Sequence, residues 1–241
     1  MRFIFIFLAI LIVTNETSAQ INKGSLTFQA ALPTADYRKS YNVIPTGLLF
    51  SITHQLENQP PFSFGGEIGI MQVSGADKYY TGFYNNEFNT FLIASWNHIV
   101  TFGALFKLNL FPESRFIDVD IDITGGTNIF ITTASVSRDV GIDPFTNTIK
   151  TKFYFTDNHV SWALRVGGGV GFQIPVGHQK KTAVLLRTSY LYGSHAIYYA
   201  RPTIINTQII LSPKASGTSM IVTEAGLRFS IFNKSKKSKA F

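Results

Sequence analysis

The sequence predicts an all-β protein: an eight-stranded antiparallel up-and-down transmembrane β-barrel with short periplasmic turns and long extracellular loops. Three observations favour it. Apolar and polar residues alternate through eight segments, as in strands whose two faces meet different surroundings. The connections between these segments are alternately short and long, which is the layout of outer-membrane barrels. Only 15% of the residues are charged, well below the roughly one quarter found in soluble domains.

The clearest strand runs from Phe116 to Thr124. One side of it holds Ile117, Val119, Ile121 and Ile123, and the other holds Asp118, Asp120 and Asp122. The apolar side is β-branched throughout, which favours a strand over a helix. In a soluble sheet the acids would face water, whereas in a membrane barrel the isoleucines would face lipid and the acids a polar interior. The alternation alone leaves both interpretations open.

Seven other segments alternate in the same way. In chain order they are 24–32, 46–56, 62–73, 98–110, 160–174, 182–193 and 218–232. Two further stretches, 88–96 and 204–211, fit a strand less clearly, so the sequence leaves eight or ten strands open.

The connections favour the membrane interpretation. The links at 57–61, 112–115 and 175–181 are short, and those at 33–45, 74–97, 132–159 and 194–217 are long. Such segregation of loop length is typical of outer-membrane barrels. The soluble alternative is a secreted lipocalin-like barrel or a β-sandwich.

The two ends of the chain differ from its body. Residues 1–19 have a basic start, an apolar run from Phe3 to Val13 and a small-residue site ending at Ala19, which predicts a signal peptide rather than a membrane anchor. Residues 20–232 are then the barrel, and 233–241 form a basic C-terminal tail. Four of the net +7 charges are lysines of this tail, so we expect no nucleic-acid partner.

Four segments carry a family resemblance. They are 26–37, 64–69, 165–172 and 225–229, which read LTFQAALPTADY, FGGEIG, RVGGGVGF and AGLRF. With them the chain resembles the outer-membrane β-barrel family of Bacteroidota, small barrels similar to the OmpA transmembrane domain and OmpX. The resemblance implies a bacterial outer-membrane location, outer-membrane lipid around the barrel, and the barrel assembly machinery as partner during biogenesis. Phe232 and Phe241 are the alternative assembly signals.

A barrel of eight strands has an interior that side chains can fill. We therefore expect the inward-facing charges to pair with one another and plug the lumen, because buried charges persist only when paired. The predicted network comprises Glu67, Lys107, Asp118, Asp120, Asp122, Arg165, Arg187, Glu224 and Arg228. An ion path lined by the three aspartates is the alternative.

The sequence offers little for catalysis. His54, His98, His159 and His178 have no metal-ligand spacing, and the chain has no cysteine. We expect a protein without enzymatic activity, metal or cofactor. A membrane-embedded lipid or peptide hydrolase using Ser194 and His195 is the alternative.

The loops are the stronger candidates for function. They contain the aromatic residues Tyr79, Tyr80, Phe83, Tyr84, Tyr198 and Tyr199. These are either membrane-interface residues or anchors for an extracellular or envelope protein partner. The sequence thus predicts a small barrel with a structural or loop-binding role.

Overall fold

A computed structural model describes residues 21–40, 43–55, 61–73, 78–111, 117–142, 149–176, 182–199, 203–211 and 213–232. The predicted signal peptide, the basic tail and most of the predicted short turns lie outside these residues. Among them, no helix has the length and the apolar character needed to cross a bilayer.

Thirteen strands and one helix form the described part of the chain. The strands are β1 (Ile21–Pro33), β2 (Thr46–Gln55), β3 (Phe62–Val73), β4 (Lys78–Tyr84), β5 (Glu87–Asn109), β6 (Asp118–Ile142), β7 (Ile149–Val176), β8 (Thr182–Gly193), β9 (His195–Tyr199), β10 (Thr203–Ile205), β11 (Gln208–Ile210), β12 (Pro213–Gly217) and β13 (Met220–Phe232). The helix, α1, is Ala35–Ser40.

Eight of the strands close into a ring. The order is β1–β2–β3–β5–β6–β7–β8–β13, with β13 pairing back to β1, and every pairing is antiparallel. The prediction of an eight-stranded up-and-down barrel is confirmed. Closure removes the unpaired edges that an open sheet would expose.

The hydrogen-bond register gives the barrel its stagger. Starting at Arg165 on β7, one can step to the paired residue on each neighbouring strand in turn until the path has gone once around the ring. It returns to β7 at Pro175, ten residues after its starting point. Such a stagger goes with strands tilted by about 35–45° to the barrel axis. The lumen is therefore narrow enough for side chains from opposite strands to meet.

The two faces of the ring differ as the alternation predicts. The outer face exposes an apolar belt, in which Leu26, Ile68, Ile123, Trp162 and Leu164 are all more than 45% exposed. The inner face buries polar and charged side chains, including Thr27, Gln29, Asn128, Ser161 and Ser189. An apolar exterior around a polar interior is the reverse of a soluble protein and suits a lipid environment.

The long connections are more ordered than the sequence predicts, and this is a correction. The stretch 88–96 belongs to β5, which pairs with β4 through a hairpin turn at Asn85 and Asn86. Both asparagines have positive φ, as a two-residue hairpin of this type requires. The stretch 204–211 forms the hairpin β10–β11 outside the ring. Neither adds a barrel strand.

The predicted loop 132–159 is likewise mostly strand. β6 and β7 continue as a hairpin far beyond the ring, with register shifts after Val136 and Asp139. These strands continue because residues 133–139 and 150–158 still alternate and pair with each other, although they are too polar to read as membrane strands. A strand is read as a loop when it is identified by alternating lipid-facing apolar residues, because a polar hairpin outside the membrane lacks them.

Candidate functional site: the lumen and the protruding sheet

The middle of the lumen holds a network of five charged side chains, Glu67, Asp122, Arg165, Arg187 and Glu224, here called the central network. Each is at least nine-tenths buried. They come from β3, β6, β7, β8 and β13, so the network ties together five of the eight barrel strands.

Arg187 is the hub of the central network. Its Nη2 lies 2.5 Å from Asp122 Oδ1, and its Nε donates to Asp122 Oδ2 at 2.8 Å. Its Nη1 lies 2.9 Å from Glu224 Oε1 and 3.3 Å from Glu67 Oε2. One guanidinium thus contacts three buried carboxylates. Such pairing and hydrogen bonding offset much of the desolvation cost of burying these charges.

Arg165 supplies the second cation. Its Nη2 pairs with Glu67 Oε1, which also accepts a hydrogen bond from the Thr124 hydroxyl at 2.7 Å. Gly103 makes room for this pair, because a Cβ there would lie 2.6 Å from the Arg165 guanidinium. Neither Gly103 nor Thr124 was predicted as part of the site. Their inward position on the alternating strands is the signal that could have found them.

The other predicted lumen charges lie nearer the short-turn end of the barrel. Asp118 pairs with Arg228, with Nη2 and Oδ2 3.5 Å apart, and Asp120 accepts a hydrogen bond from the Gln173 amide. Lys107 is also buried. Lys23 donates to Gln55 Oε1 at 2.8 Å. It is not among the predicted lumen residues, because the predicted strand begins at Gly24.

An apolar plug fills the long-loop end of the lumen, and it was not expected. It consists of Ala31, Tyr37, Met71, Val73, Ile99, Phe130, Ala163, Leu191, Ala196, Tyr198, Met220 and Val222. Tyr37 comes from α1, and its ring lies edge-on to the rings of Tyr198 and Phe130 at 5.5 and 6.2 Å. The helix and β9 thereby place large side chains over the barrel opening.

A sheet extends beyond the ring at the same end, here called the protruding sheet. It consists of β10, β11, β4 and the outer halves of β5, β6 and β7. One face packs Phe91, Ile93, Val136 and Ile209 against partly buried aromatic residues that include Tyr80 and Tyr84. The other face exposes Tyr79, Phe83 and Phe88, and the rings of Phe83 and Phe88 lie 4.9 Å apart.

The outer half of β7 forms one border of the protruding sheet. Residues 149–163 pair with β6 on one side. On the other side, the ladder with β8 begins only at Arg165. Above it β9 packs against β7: Ser161 bonds to Ile197, the Tyr199 hydroxyl donates to Asp157, and the rings of Phe155 and Tyr199 lie 6.3 Å apart. Ile149 and Phe153 on this stretch are each 64% exposed.

A charged cluster lies on the protruding sheet. The Tyr154 hydroxyl donates to Glu87 Oε2 at 2.5 Å, and Arg138 Nη1 and Lys152 Nζ each lie 3.6 Å from that carboxylate. The hydrogen bond from Tyr154, followed by the charge of Lys152, holds the pKa of Glu87 below its ordinary value.

The six aromatic candidates separate into three pairs. Tyr79 and Phe83 are exposed, and Tyr80 and Tyr84 are partly buried against the apolar face of the protruding sheet. Tyr198 and Tyr199 are a correction, since only 0% and 4% of their surface is exposed. Tyr198 belongs to the plug, and the Tyr199 hydroxyl donates to Asp157, so neither offers its ring to a partner.

Ser194 and His195 do not form a nucleophile–base pair in this fold. The Ser194 hydroxyl accepts a hydrogen bond from the Leu164 amide at 2.9 Å, while His195 begins β9 with its side chain exposed. Among the described residues, no group of three or more His, Asp or Glu side chains could hold a metal ion.

The comparisons with known proteins find distant structural likenesses and no sequence match. No protein-family model and no curated protein sequence matches this chain. Among solved structures, Neisserial surface protein A is 12% identical, with 88% of this chain and 97% of that chain covered and a TM-score of 0.42. A major outer membrane protein of Thermus thermophilus is 13% identical, with 87% and 98% covered and a TM-score of 0.44.

A third similar structure is Ail, the attachment invasion locus protein of Yersinia pestis. It is 13% identical, with 88% of this chain and 100% of that chain covered and a TM-score of 0.38. At these identities and TM-scores the likenesses carry no conclusion about the function of this chain.

Proposed function

We propose that the protein is a small barrel of the bacterial outer membrane that holds the protruding sheet outside the cell, where the sheet binds a polypeptide partner. The observation that carries this proposal is the outer end of β7. There residues 149–153 pair with β6 alone among the described strands, and Ile149 and Phe153 expose apolar side chains. Strand borders of this kind recruit extended segments through main-chain hydrogen bonds, and alternate side chains give specificity.

The sealed lumen supports a binding role over a transport role. The apolar plug and the central network together fill the section of the barrel that a solute would have to cross. An apolar layer also excludes the hydrated ions that a path lined by aspartates would carry. We therefore propose that the lumen charges are structural and that the barrel conducts no ions.

The membrane location rests on the exterior of the ring. A soluble protein would not expose a continuous apolar belt to water. The long connections at one end match the extracellular side of outer-membrane barrels. On the resemblance of its sequence segments, we also propose a Bacteroidota-type outer-membrane protein, inserted by the barrel assembly machinery.

The exposed aromatic residues supply a second part of the binding surface. Tyr79, Phe83 and Phe88 form an apolar patch on one face of the protruding sheet, while Lys152 and Arg138 lie near Glu87 at its tip. Aromatic side chains anchored in a rigid sheet are efficient contact residues, because little conformational entropy is lost when they are buried by a partner.

Site-specific photocrosslinking in intact cells tests the proposal. A photoreactive amino acid at Phe153 or Phe83 should give an adduct with a partner protein, and the same group at Leu164, in the apolar belt, should give none. A double variant Phe83→Ser and Phe88→Ser should reduce the adduct formed from position 153 while the barrel keeps its folded electrophoretic mobility. The proposal is wrong if positions 153 and 83 give no more protein adduct than position 164.

Bilayer conductance tests the sealed lumen separately. Refolded protein in a planar bilayer should show no discrete conductance steps. Regular steps, abolished by substitution of a plug residue with a larger side chain, would favour the channel alternative over a structural lumen.

A further inference from the structure

A small cavity opens at the short-turn end of the lumen, away from the plug. It has a volume of about 20 Å³ and is lined by residues of β1, β2, β3, β5, β6 and β13. A space of this size holds about one water-sized particle. The cavity is thus a terminal pocket and does not continue through the central network.

The charged groups on the cavity wall are mostly cationic. Lys23, Lys107 and Arg228 line it, and Asp120 is the acidic residue among the described residues that do so. Asp120 already accepts a hydrogen bond from Gln173, and Arg228 is 3.5 Å from Asp118, which lies outside the wall. The wall therefore has an excess of positive charge.

Lys107 is the least satisfied of these cations. It is 7% exposed, and within the described chain it forms neither an ion pair nor a hydrogen bond. Each of the other lumen cations, Lys23 included, has at least one such partner. A largely buried ammonium group without a direct partner is unfavourable, so an anion placed beside it would be stabilised.

The neutral groups around the cavity also suit an anion. The hydroxyls of Ser25 and Ser51 are 2.7 Å apart, so one of them donates to the other and the second keeps its own hydrogen for another acceptor. The Asn109 side-chain oxygen accepts from the Phe111 amide at 2.9 Å, which leaves its NH₂ group as a donor. The wall therefore offers hydroxyl and amide hydrogen-bond donors in addition to its cations.

We propose that this cavity is a binding site for a small monovalent anion of the halide type, with the Lys107 ammonium as its principal ligand. The volume of about 20 Å³ favours a monatomic anion over phosphate or a carboxylate, which need more room. The anion enters from the short-turn end, because the central network and the plug close the other end. The site is independent of the protruding sheet and of its proposed partner.

Anomalous diffraction with bromide tests the site directly. Crystals of the wild-type barrel grown or soaked in sodium bromide should show an anomalous peak within hydrogen-bond distance of Lys107 Nζ. A water molecule in that position, with density but no anomalous signal, overturns the proposal, and so does bromide bound only at the protein surface.

Chloride NMR provides a solution measurement. The wild-type protein in detergent should broaden the ³⁵Cl resonance beyond a detergent blank, and bromide should compete the effect away. Lys107→Met should weaken halide affinity roughly tenfold or more, because it removes a hydrogen bond to a charged group. Lys152→Met, on the protruding sheet, is the matched control and should leave the affinity unchanged.

A second variant tests halide binding even if Lys107→Met fails to fold. Lys23→Met removes a second cation at the rim of the same cavity, where a methionine side chain can reach water, and it should also weaken halide binding. Equal line broadening by wild type, Lys107→Met and Lys23→Met would show that the chloride signal has another source and would overturn the proposal.

Discussion

Arg187 and Asp122 form a two-point ion pair across the lumen, although β7 lies between their strands in the ring. The Arg187 Nη2 and Nε atoms are 2.5 and 2.8 Å from the two carboxylate oxygens. This geometry fixes the plane of the guanidinium group and leaves its Nη1 directed at Glu224 and Glu67. The position of one arginine thus determines the arrangement of three carboxylates from three other strands.

The variant Arg165→Ala should be strongly destabilising. It leaves Glu67 with a single cationic partner, Arg187, whose Nη1 is 3.3 Å away and shared with Glu224. Removing one partner of a buried ion pair costs about 3–5 kcal/mol. The measurement is the free energy of unfolding by urea in lipid vesicles.

Arg228→Ala is the matched control for that variant. The Arg228–Asp118 pair is longer and both side chains are partly exposed, so the loss should be clearly smaller. Equal losses for the two variants would contradict the view that burial of the central network decides the cost.

Gly103→Ala should also destabilise the barrel, by about 1–3 kcal/mol. The added methyl group would come within 2.6 Å of the Arg165 guanidinium and 3.2 Å of Glu67 Oε1, and it would displace the pair. Gly125→Ala is the control, because a Cβ there meets no atom within 4 Å. The unfolding free energies of the two variants should differ in this direction. A neutral Gly103→Ala variant would show that the ion pair has room to shift.

Ile123→Arg tests which face of the ring meets lipid. Ile123 is 60% exposed in the apolar belt, and an arginine near the middle of a bilayer costs about 2–4 kcal/mol. Thr81→Arg, an exposed substitution on the protruding sheet, should cost far less. If the two variants unfold at the same urea concentration, the apolar belt is not in contact with lipid.

Tyr199 should make stability depend on alkaline pH. Burial, followed by its hydrogen bond to Asp157, raises the pKa of Tyr199 from 10.0 to about 12. Because the folded-state pKa is the higher one, its contribution to stability is complete below about pH 10 and is lost as the pH rises toward 12.

The variant Tyr199→Phe isolates this effect. Between pH 9 and 12 the wild type should lose stability relative to Tyr199→Phe, which has no proton to release at this position. Parallel pH profiles for the two proteins would contradict the raised pKa.

The ring strands could be predicted because lipid imposes a strict pattern on them. Outward residues of the ring strands must be apolar, and a period of two identifies every other position as inward, Glu67 on β3 and Arg187 on β8 among them. The sequence therefore names the inward charges, but it does not specify their partners. Pairing depends on the ten-residue stagger, which brings together residues such as Arg187 and Glu67, 120 positions apart.

The parts beyond the membrane could not be predicted in the same way. Outside the membrane both faces of a strand can carry polar side chains. The outer halves of β6 and β7 therefore lack the alternation that lipid imposes, and their sequences resemble loops. The apolar plug was missed for a related reason, since it depends on Tyr37 and Tyr198 folding back over the opening. Nothing in the periodicity of either segment indicates that return.

The position of Arg187 also bears on how the chain folds. Two of its partners, Glu67 and Glu224, come from β3 and β13, which join the same ring only when β13 pairs with β1. Until that seam closes, the carboxylates remain hydrated and cannot be transferred into a bilayer at low cost. Dehydration of the interior and closure of the seam therefore belong to a single late step. A half-closed barrel would be a wet, short-lived species, and the rate of insertion should follow the slow search by which the two ends of the chain meet.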